Sequence, residues 1–212
     1  MRHLQLGKLY PITDSKNLNG LSHSELASHF LQAGVRFFQV REKSLSDSLL
    51  YEQLLRIKTL CEPLGAQFLI NDRVDLVLAV GANGVHLGQD DLPVKVARRL
   101  LGKDAIIGLS THNRRQFLQA QSEDIDYVAI GPVFSTSTKQ TKDPPFGVDA
   151  LRGLIPESQH PVVAIGGISL QKAPEVWATG AYSVAVISDI LNCPHPAGRL
   201  SQYLALAKES NE

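Results

Sequence analysis

The sequence predicts an α/β fold, a (β/α)8 TIM barrel built as one domain over residues 1–212. Three observations lead there. Eight short apolar runs alternate with longer amphipathic stretches along the whole chain, the pattern of buried parallel strands joined by helices. No low-complexity linker or break in composition divides them. Ligand-type side chains also stand just after most of the apolar runs, where a barrel gathers its loops at the C-terminal face. A doubly wound open sheet is the structural alternative, but it would not draw ligand residues from nearly every strand end.

In chain order, the first strand (8–13) stops at Asp14, and a helix over 23–34 opens near Ser24 and closes on Ala33-Gly34. Strand 36–42 leads through Ser46, a cap residue, into helix 46–64. Strand 67–71 ends at Asn71-Asp72, and helix 73–80 closes on Gly81-Ala82-Asn83-Gly84. Strand 84–87 precedes a helix over 93–101 with Pro93 at its start, where proline's missing N–H costs nothing. Strand 105–110 leads through the cap Asn113 to helix 113–122. Strand 126–131 is followed by a long loop and helix 148–154. Strand 161–166 leads through Ser169 to helix 170–179, which closes on Thr179-Gly180-Ala181. Strand 182–187 and a final helix over 197–208 complete the count.

Composition bounds the function. The 21 basic and 21 acidic side chains cancel, which argues against nucleic acid or a membrane surface as partner, since both call for a basic excess. Cys61 and Cys193 are too few for a disulfide framework or a zinc site, so both are expected as reduced thiols in a cytoplasmic setting. The first eight residues lack the apolar stretch of a signal peptide, and no apolar run reaches the length of a membrane span.

The candidate chemistry sits at the strand ends. Asp72 and Asp91 follow successive strands, about 5 Å apart in a parallel sheet, so the two carboxylates can face one small hard cation such as Mg2+. Helix capping is the plainer role for either acid, and Asp90 competes with Asp91 as ligand. Along Gln39-Val40-Arg41-Glu42-Lys43, alternation puts Gln39, Arg41 and Lys43 on one face and Val40 and Glu42 on the other. Two cations and an amide at the mouth make a phosphate clamp, unless they merely pair with nearby acids. Ser110 can bond a phosphate oxygen or a ring nitrogen. His112 has the titration range for acid–base work, but a structural hydrogen bond is its commoner use. Thr136, Ser137, Thr138 and Lys139 offer a row of donors in a loop reaching Gly147, long enough to fold over a ligand as a lid. Gly166-Gly167 after strand seven and Ile187-Ser188 after strand eight suggest a second phosphate site.

Six of these motifs, in order from Leu9 to Ser188, resemble thiamine phosphate synthase: the Gln39–Lys43 run, Asn71-Asp72, Gly84-Val85-His86-Leu87-Gly88-Gln89-Asp90-Asp91, Gly108-Leu109-Ser110-Thr111-His112, Gly131-Pro132-Val133-Phe134 with Thr136–Lys139, and Ile165-Gly166-Gly167-Ile168. The resemblance implies a transferase joining a hydroxymethylpyrimidine diphosphate to a thiazole phosphate, with Mg2+ on Asp72 and Asp91. It assigns the whole Gln39–Lys43 run to substrate binding, Val40 and Glu42 included, together with Asn71 and Lys139 at the pyrimidine diphosphate and Ser110 beside the ring. Thr136, Ser137, Thr138, Gly167, Ile187 and Ser188 match the thiazole-phosphate contacts. Arg41, Lys43 and Lys139 would act in catalysis by neutralising the departing diphosphate. Replacing Lys139 is then expected to lower turnover far more than substrate binding, which steady-state kinetics would read; equal losses in both would contradict it.

Two departures from the family pattern stand out. Ser135 replaces a frequent proline, and Asp189 puts an acid next to Ser188. Two rivals share the barrel: a thiazole tautomerase using His112 as base, and a non-catalytic phosphate-ligand binder.

Overall fold

The structure, a computed structural model, describes residues 4–136 and 144–209. Strands β1 (Leu9–Asp14), β2 (Phe37–Arg41), β3 (Gln67–Asn71), β4 (Gly84–Leu87), β5 (Ile106–Thr111), β6 (Tyr127–Ile130), β7 (Val162–Ile165) and β8 (Ser183–Val186) form a closed parallel barrel in chain order. The seam between β1 and β8 pairs Leu9 with Val184 and Pro11 with Val186. Helices α1 (His23–Gln32), α2 (Asp47–Cys61), α3 (Val74–Val80), α4 (Val94–Leu101), α5 (Arg114–Ala120), α6 (Val148–Leu154), α7 (Ala173–Trp177), α8 (Ser188–Leu191) and α9 (Pro196–Glu209) follow the strands. Among the described residues, no helix is long and apolar enough to cross a membrane.

Two apolar layers result from the two-residue period of the strands. Facing out, Val40, Phe38, Phe68, Ile107, Val128 and Val184 meet Phe30, Leu54, Phe117 and Val176 of the helices. Facing in, Tyr10, Ile12, Phe37, Leu69, Ile106, Tyr127, Val163 and Ala185 fill the barrel. Each fully buried side chain of the size of Phe or Leu contributes about 1.5–3 kcal/mol relative to exposure. The inner layer also explains Gly108: a Cβ there would stand 2.1 Å from the Tyr127 ring, which crosses β5 towards the barrel axis.

The eight strands lie within one or two residues of their sequence-predicted ranges. Helix termini differ more. Ser22, not Ser24, caps α1, accepting from Glu25 N while the Glu25 carboxylate accepts from Ser22 N. Ser46 and Asn113 do cap α2 and α5. Helix α2 tightens into a 3-10 turn over Glu62–Leu64, and α7 covers only five of the ten residues expected. Helix α8 escapes sequence reading because four residues are too few to show a 3.6-residue period.

Candidate active site

At its C-terminal face the barrel opens into a cleft of about 930 Å3, counted out to the open rim. Gln39, Arg41, Asn71 and Ser110 line it from β2, β3 and β5, and Thr136, Gly167, Ile187 and Ser188 from the loops after β6, β7 and β8. Ser137, Thr138 and Lys139, with most of the expected lid, lie outside the described residues.

The cations are held by acids from neighbouring strands. Register sets Asp14 of β1 beside Arg41 of β2, and Arg41 Nη1 donates to Asp14 Oδ2. The other Asp14 oxygen accepts from Lys16 N at 3.0 Å and Asn17 Nδ2 at 3.1 Å, so this fully buried carboxylate is saturated and Arg41 is aimed. Lys43, at the rim, pairs through Nζ with Asp72. Asp72 takes the left-handed backbone conformation at φ 63°, with its N–H donating to His86 O at 2.9 Å. A non-glycine residue pays for that geometry, and such positions cluster where function demands them.

The bent backbone brings Asp72 against Asp91, whose Oδ2 accepts from Gly88 N at 2.7 Å. Burial, and then the Asp72 carboxylate, push the Asp91 carboxyl above its usual range, against the pull of the Gly88 N–H and Lys43. Asp91, and not the exposed Asp90, is therefore the acid that meets Asp72. Two facing carboxylates in partial burial are the donor set of a site that wants a cation. Among the described residues no group of three or more His, Cys, Asp or Glu gathers as a metal cage. A pair completed by water and phosphate oxygens suits Mg2+ better than a full protein cage does.

Below the mouth runs a row of polar groups. Gln39 Nε2 donates to Tyr10 Oη at 2.9 Å, Tyr10 and Tyr127 hydroxyls meet at 2.8 Å, and Tyr127 Oη lies 2.7 Å from His86 Nδ1. His86 Nε2 is 2.8 Å from Ser110 Oγ. Burial pushes both tyrosine hydroxyls well above their ordinary pKa, so each keeps its proton. Beside this row, His112 Nδ1–H donates to Gly131 O at 2.8 Å.

On the opposite side the loops after β6, β7 and β8 meet. Gly167, at φ 65°, has no room for a side chain: a Cβ would fall 2.4 Å from Ser135 O and 2.8 Å from Phe134 Cβ. Helix α8 begins at Ser188, directly after Ile187. The acid beside it turns away, since Asp189 Oδ2 accepts from Tyr203 Oη at 2.8 Å and from Leu170 N at 3.2 Å. Its charge is directed at α9 and the start of the β7 loop.

Two members of the Gln39–Lys43 run need correcting. The Val40 side chain belongs to the apolar layer under the helices and does not line the cleft. Glu42 is also turned away from it. Its Oε2 meets His23 Nε2 at 2.7 Å, and His23 Nδ1 meets Thr13 Oγ1 at 2.7 Å. Its Oε1 accepts from Lys43 N at 2.7 Å, from Ser44 N, and from Leu45 N at 3.0 Å. Glu42 thus shapes the turn that carries Lys43. Burial works against its charge, yet the bonds from His23 and the Ser44 and Leu45 N–H groups win and hold its carboxyl at about 2. A depressed carboxyl stabilises the fold above its unfolded value, ordinarily about 4.3, and loses that stabilisation as pH falls towards about 2. Glu42→Gln should cost about 2 kcal/mol at pH 7 and much less near pH 2. Urea titrations at both pH values would show it; an equal cost at both would refute the charged role.

A model of the family described as thiamine monophosphate synthase matches residues 9–190. The thiamine-phosphate synthase of Chloroflexus aurantiacus is 38% identical over 210 residues, covering 99% of this chain and 97% of that protein. The chain belongs to the thiamine monophosphate synthase family. A second thiamine-phosphate synthase, from Clostridium novyi, is 41% identical over 87% of this chain and 90% of its own. The thiamine phosphate pyrophosphorylase of Pyrococcus furiosus superposes with a TM-score of 0.87 at 30% identity, covering 97% of this chain and 98% of that one. Membership makes the chain an enzyme of the transferase class.

Sequence reading missed four residues that organise this family member's site: Asp14, Tyr10, His86 and Tyr127. Asp14 was findable, because an acid ending β1 beside an arginine ending β2 is a register pair. Tyr10 and Tyr127 read as core aromatics, and nothing local says that their hydroxyls meet across 117 residues.

Proposed function

We propose that the chain is a thiamine-phosphate synthase, condensing 4-amino-2-methyl-5-(diphosphooxymethyl)pyrimidine with a thiazole phosphate to give thiamine phosphate and diphosphate. The observation that carries this reading is the arrangement at the cleft mouth. Arg41, anchored by Asp14, lines the cleft with Gln39 and Asn71, and at the ends of β2, β3 and β4 Lys43 pairs with Asp72, which faces Asp91.

Asp72 and Asp91 would hold Mg2+, which supplies positive charge for the leaving diphosphate. Arg41 and Lys43 bind the same diphosphate, and Lys139 joins them in this reading. As the methylene C–O bond breaks, its electron pair leaves on diphosphate, where these cations stabilise the growing charge. The aminopyrimidine carries the resulting cation, held over the floor by Gln39, Asn71 and Ser110. The thiazole nitrogen then donates its lone pair to form the new C–N bond. Gly167, Ile187 and Ser188 with Thr136, Ser137 and Thr138 hold the thiazole phosphate so that the nitrogen faces the methylene. No protein nucleophile is needed, and no nucleophile–base pair has to be found.

The tautomerase alternative draws on His112, whose Nδ1–H is committed to Gly131 O. It leaves the acid pair and both cations without a task. Incubation with both substrates and Mg2+ tests the proposal through diphosphate release. A synthase releases diphosphate and stops when the metal is chelated; a tautomerase or binder releases none, and that result would end the reading.

A further inference from the structure

The row of buried groups at the cleft floor, where Tyr10 and His86 also line the cleft, has one direction that gives each of its protons an acceptor. An amide nitrogen can only donate, so Tyr10 Oη accepts from Gln39 Nε2, and Tyr127 Oη, 2.8 Å away, stands as the acceptor for the buried Tyr10 hydroxyl proton. In that sense of the row Tyr127 gives its own proton to His86 Nδ1, 2.7 Å away. A ring that accepts at Nδ1 carries its proton on Nε2, and that proton goes to Ser110 Oγ at 2.8 Å. Ser110 then has its hydroxyl proton left to offer the cleft. Gln39 has its carbonyl fixed as the other half of its amide. Both residues line the cleft, so its floor presents an acceptor at one end of the row and a donor at the other.

We propose that Tyr10, Tyr127 and His86 are positioning residues that impose opposite hydrogen-bonding polarity on Gln39 and Ser110, so that the floor selects a ring edge with an amino donor beside a ring-nitrogen acceptor. This rests on the synthase reading for the identity of the ring. A 4-aminopyrimidine edge matches the floor. The 4-oxo analogue, in its lactam form, presents oxygen to the Gln39 carbonyl, like against like, and N–H in place of the bare nitrogen that would accept the Ser110 proton. Shape distinguishes the two rings poorly, whereas buried polar groups left facing like against like discriminate strongly.

Tyr127 is the hub, because its hydroxyl joins Tyr10 to His86. Without it, His86 no longer receives a proton at Nδ1 and is free to place its own there. Nε2 then accepts from Ser110, and Ser110 turns from donor to acceptor. The ring packing is retained in phenylalanine, since Tyr127 stacks on His86 with centroids 5.5 Å apart through its ring.

Two measurements test this. Nitrogen-15 histidine NMR of the unliganded wild-type protein, with the His86 signal assigned by its loss in His86→Gln, should show a neutral ring protonated on Nε2. An Nδ1–H tautomer or an imidazolium overturns the proposal. In turnover, the ratio of kcat/KM for the 4-amino over the 4-oxo pyrimidine diphosphate should fall by about tenfold or more in Tyr127→Phe. An unchanged ratio overturns it, however far overall activity drops. The NMR experiment contains no substrate, so the tautomer it reports for His86 holds whether or not the protein releases diphosphate in the synthase assay.

Discussion

Asp91→Asn should lower kcat by about 10²-fold or more while raising the melting temperature of the metal-free protein. The two effects have one cause. Burial and the facing Asp72 hold the Asp91 carboxyl above its ordinary value, so its ionised form is less favourable in the folded chain than in the unfolded one. That penalty is absent at low pH, sets in as pH rises past the ordinary carboxylate value, and is complete once pH exceeds the raised one, so it is fully present at neutrality. Asparagine removes the charge and can still accept from Gly88 N, so the fold gains what the site loses. Mg2+ should raise the melting temperature of the wild type and leave that of Asp91→Asn nearly unchanged, because only the wild type has two charges to neutralise. Thermal scans with chelator and with Mg2+, beside steady-state kinetics, read both halves. A variant that keeps its turnover, or melts lower than the wild type without metal, would remove the acid pair from the proposal.

Arg41→Ala should reduce kcat/KM by about 10³-fold and destabilise the fold by about 3 kcal/mol or more. The first loss is the bidentate cation beside the diphosphate. The second comes from Asp14, a fully buried carboxylate that would keep Lys16 N and Asn17 Nδ2 but lose its counter-charge. A double-mutant cycle separates them. Adding Asp14→Asn to Arg41→Ala should recover most of the stability and none of the activity, since a neutral amide needs no guanidinium while the diphosphate still does. Denaturant unfolding and kinetics on the four proteins decide it. Activity returning with stability would make Arg41 a structural residue.

The fold was legible because its signals are local. Eight apolar runs bounded by Gly, Pro, Asn and Asp mark eight strands, and cap chemistry at Ser46 and Asn113 marks two helix starts to the residue. The misreadings fall where the local signal is short or doubled. Ser22 and Ser24 are both capping residue types, and only the reciprocal bond with Glu25 singles out Ser22. Helix α8 is too brief to show a period.

At the site, residue type and strand position were enough to nominate Arg41, Lys43, Asp72 and Asp91, because alternation along β2 and the ends of β3 and β4 follow from the chain's own periodicity. Which acid each cation meets was not readable. Asp14 aiming Arg41, and Asp72 bent at φ 63° to reach both Lys43 and Asp91, depend on register between strands and on one unusual backbone angle. The outward turn of Glu42 and Asp189 depends on partners, His23 and Tyr203, supplied by helices packed from outside. Periodicity is a property of neighbours in the chain, so the sequence carries it in full. The direction of a hydrogen-bonded row through Tyr10, Tyr127 and His86 exists only once barrel closure brings side chains of three distant strands within hydrogen-bond reach of one another.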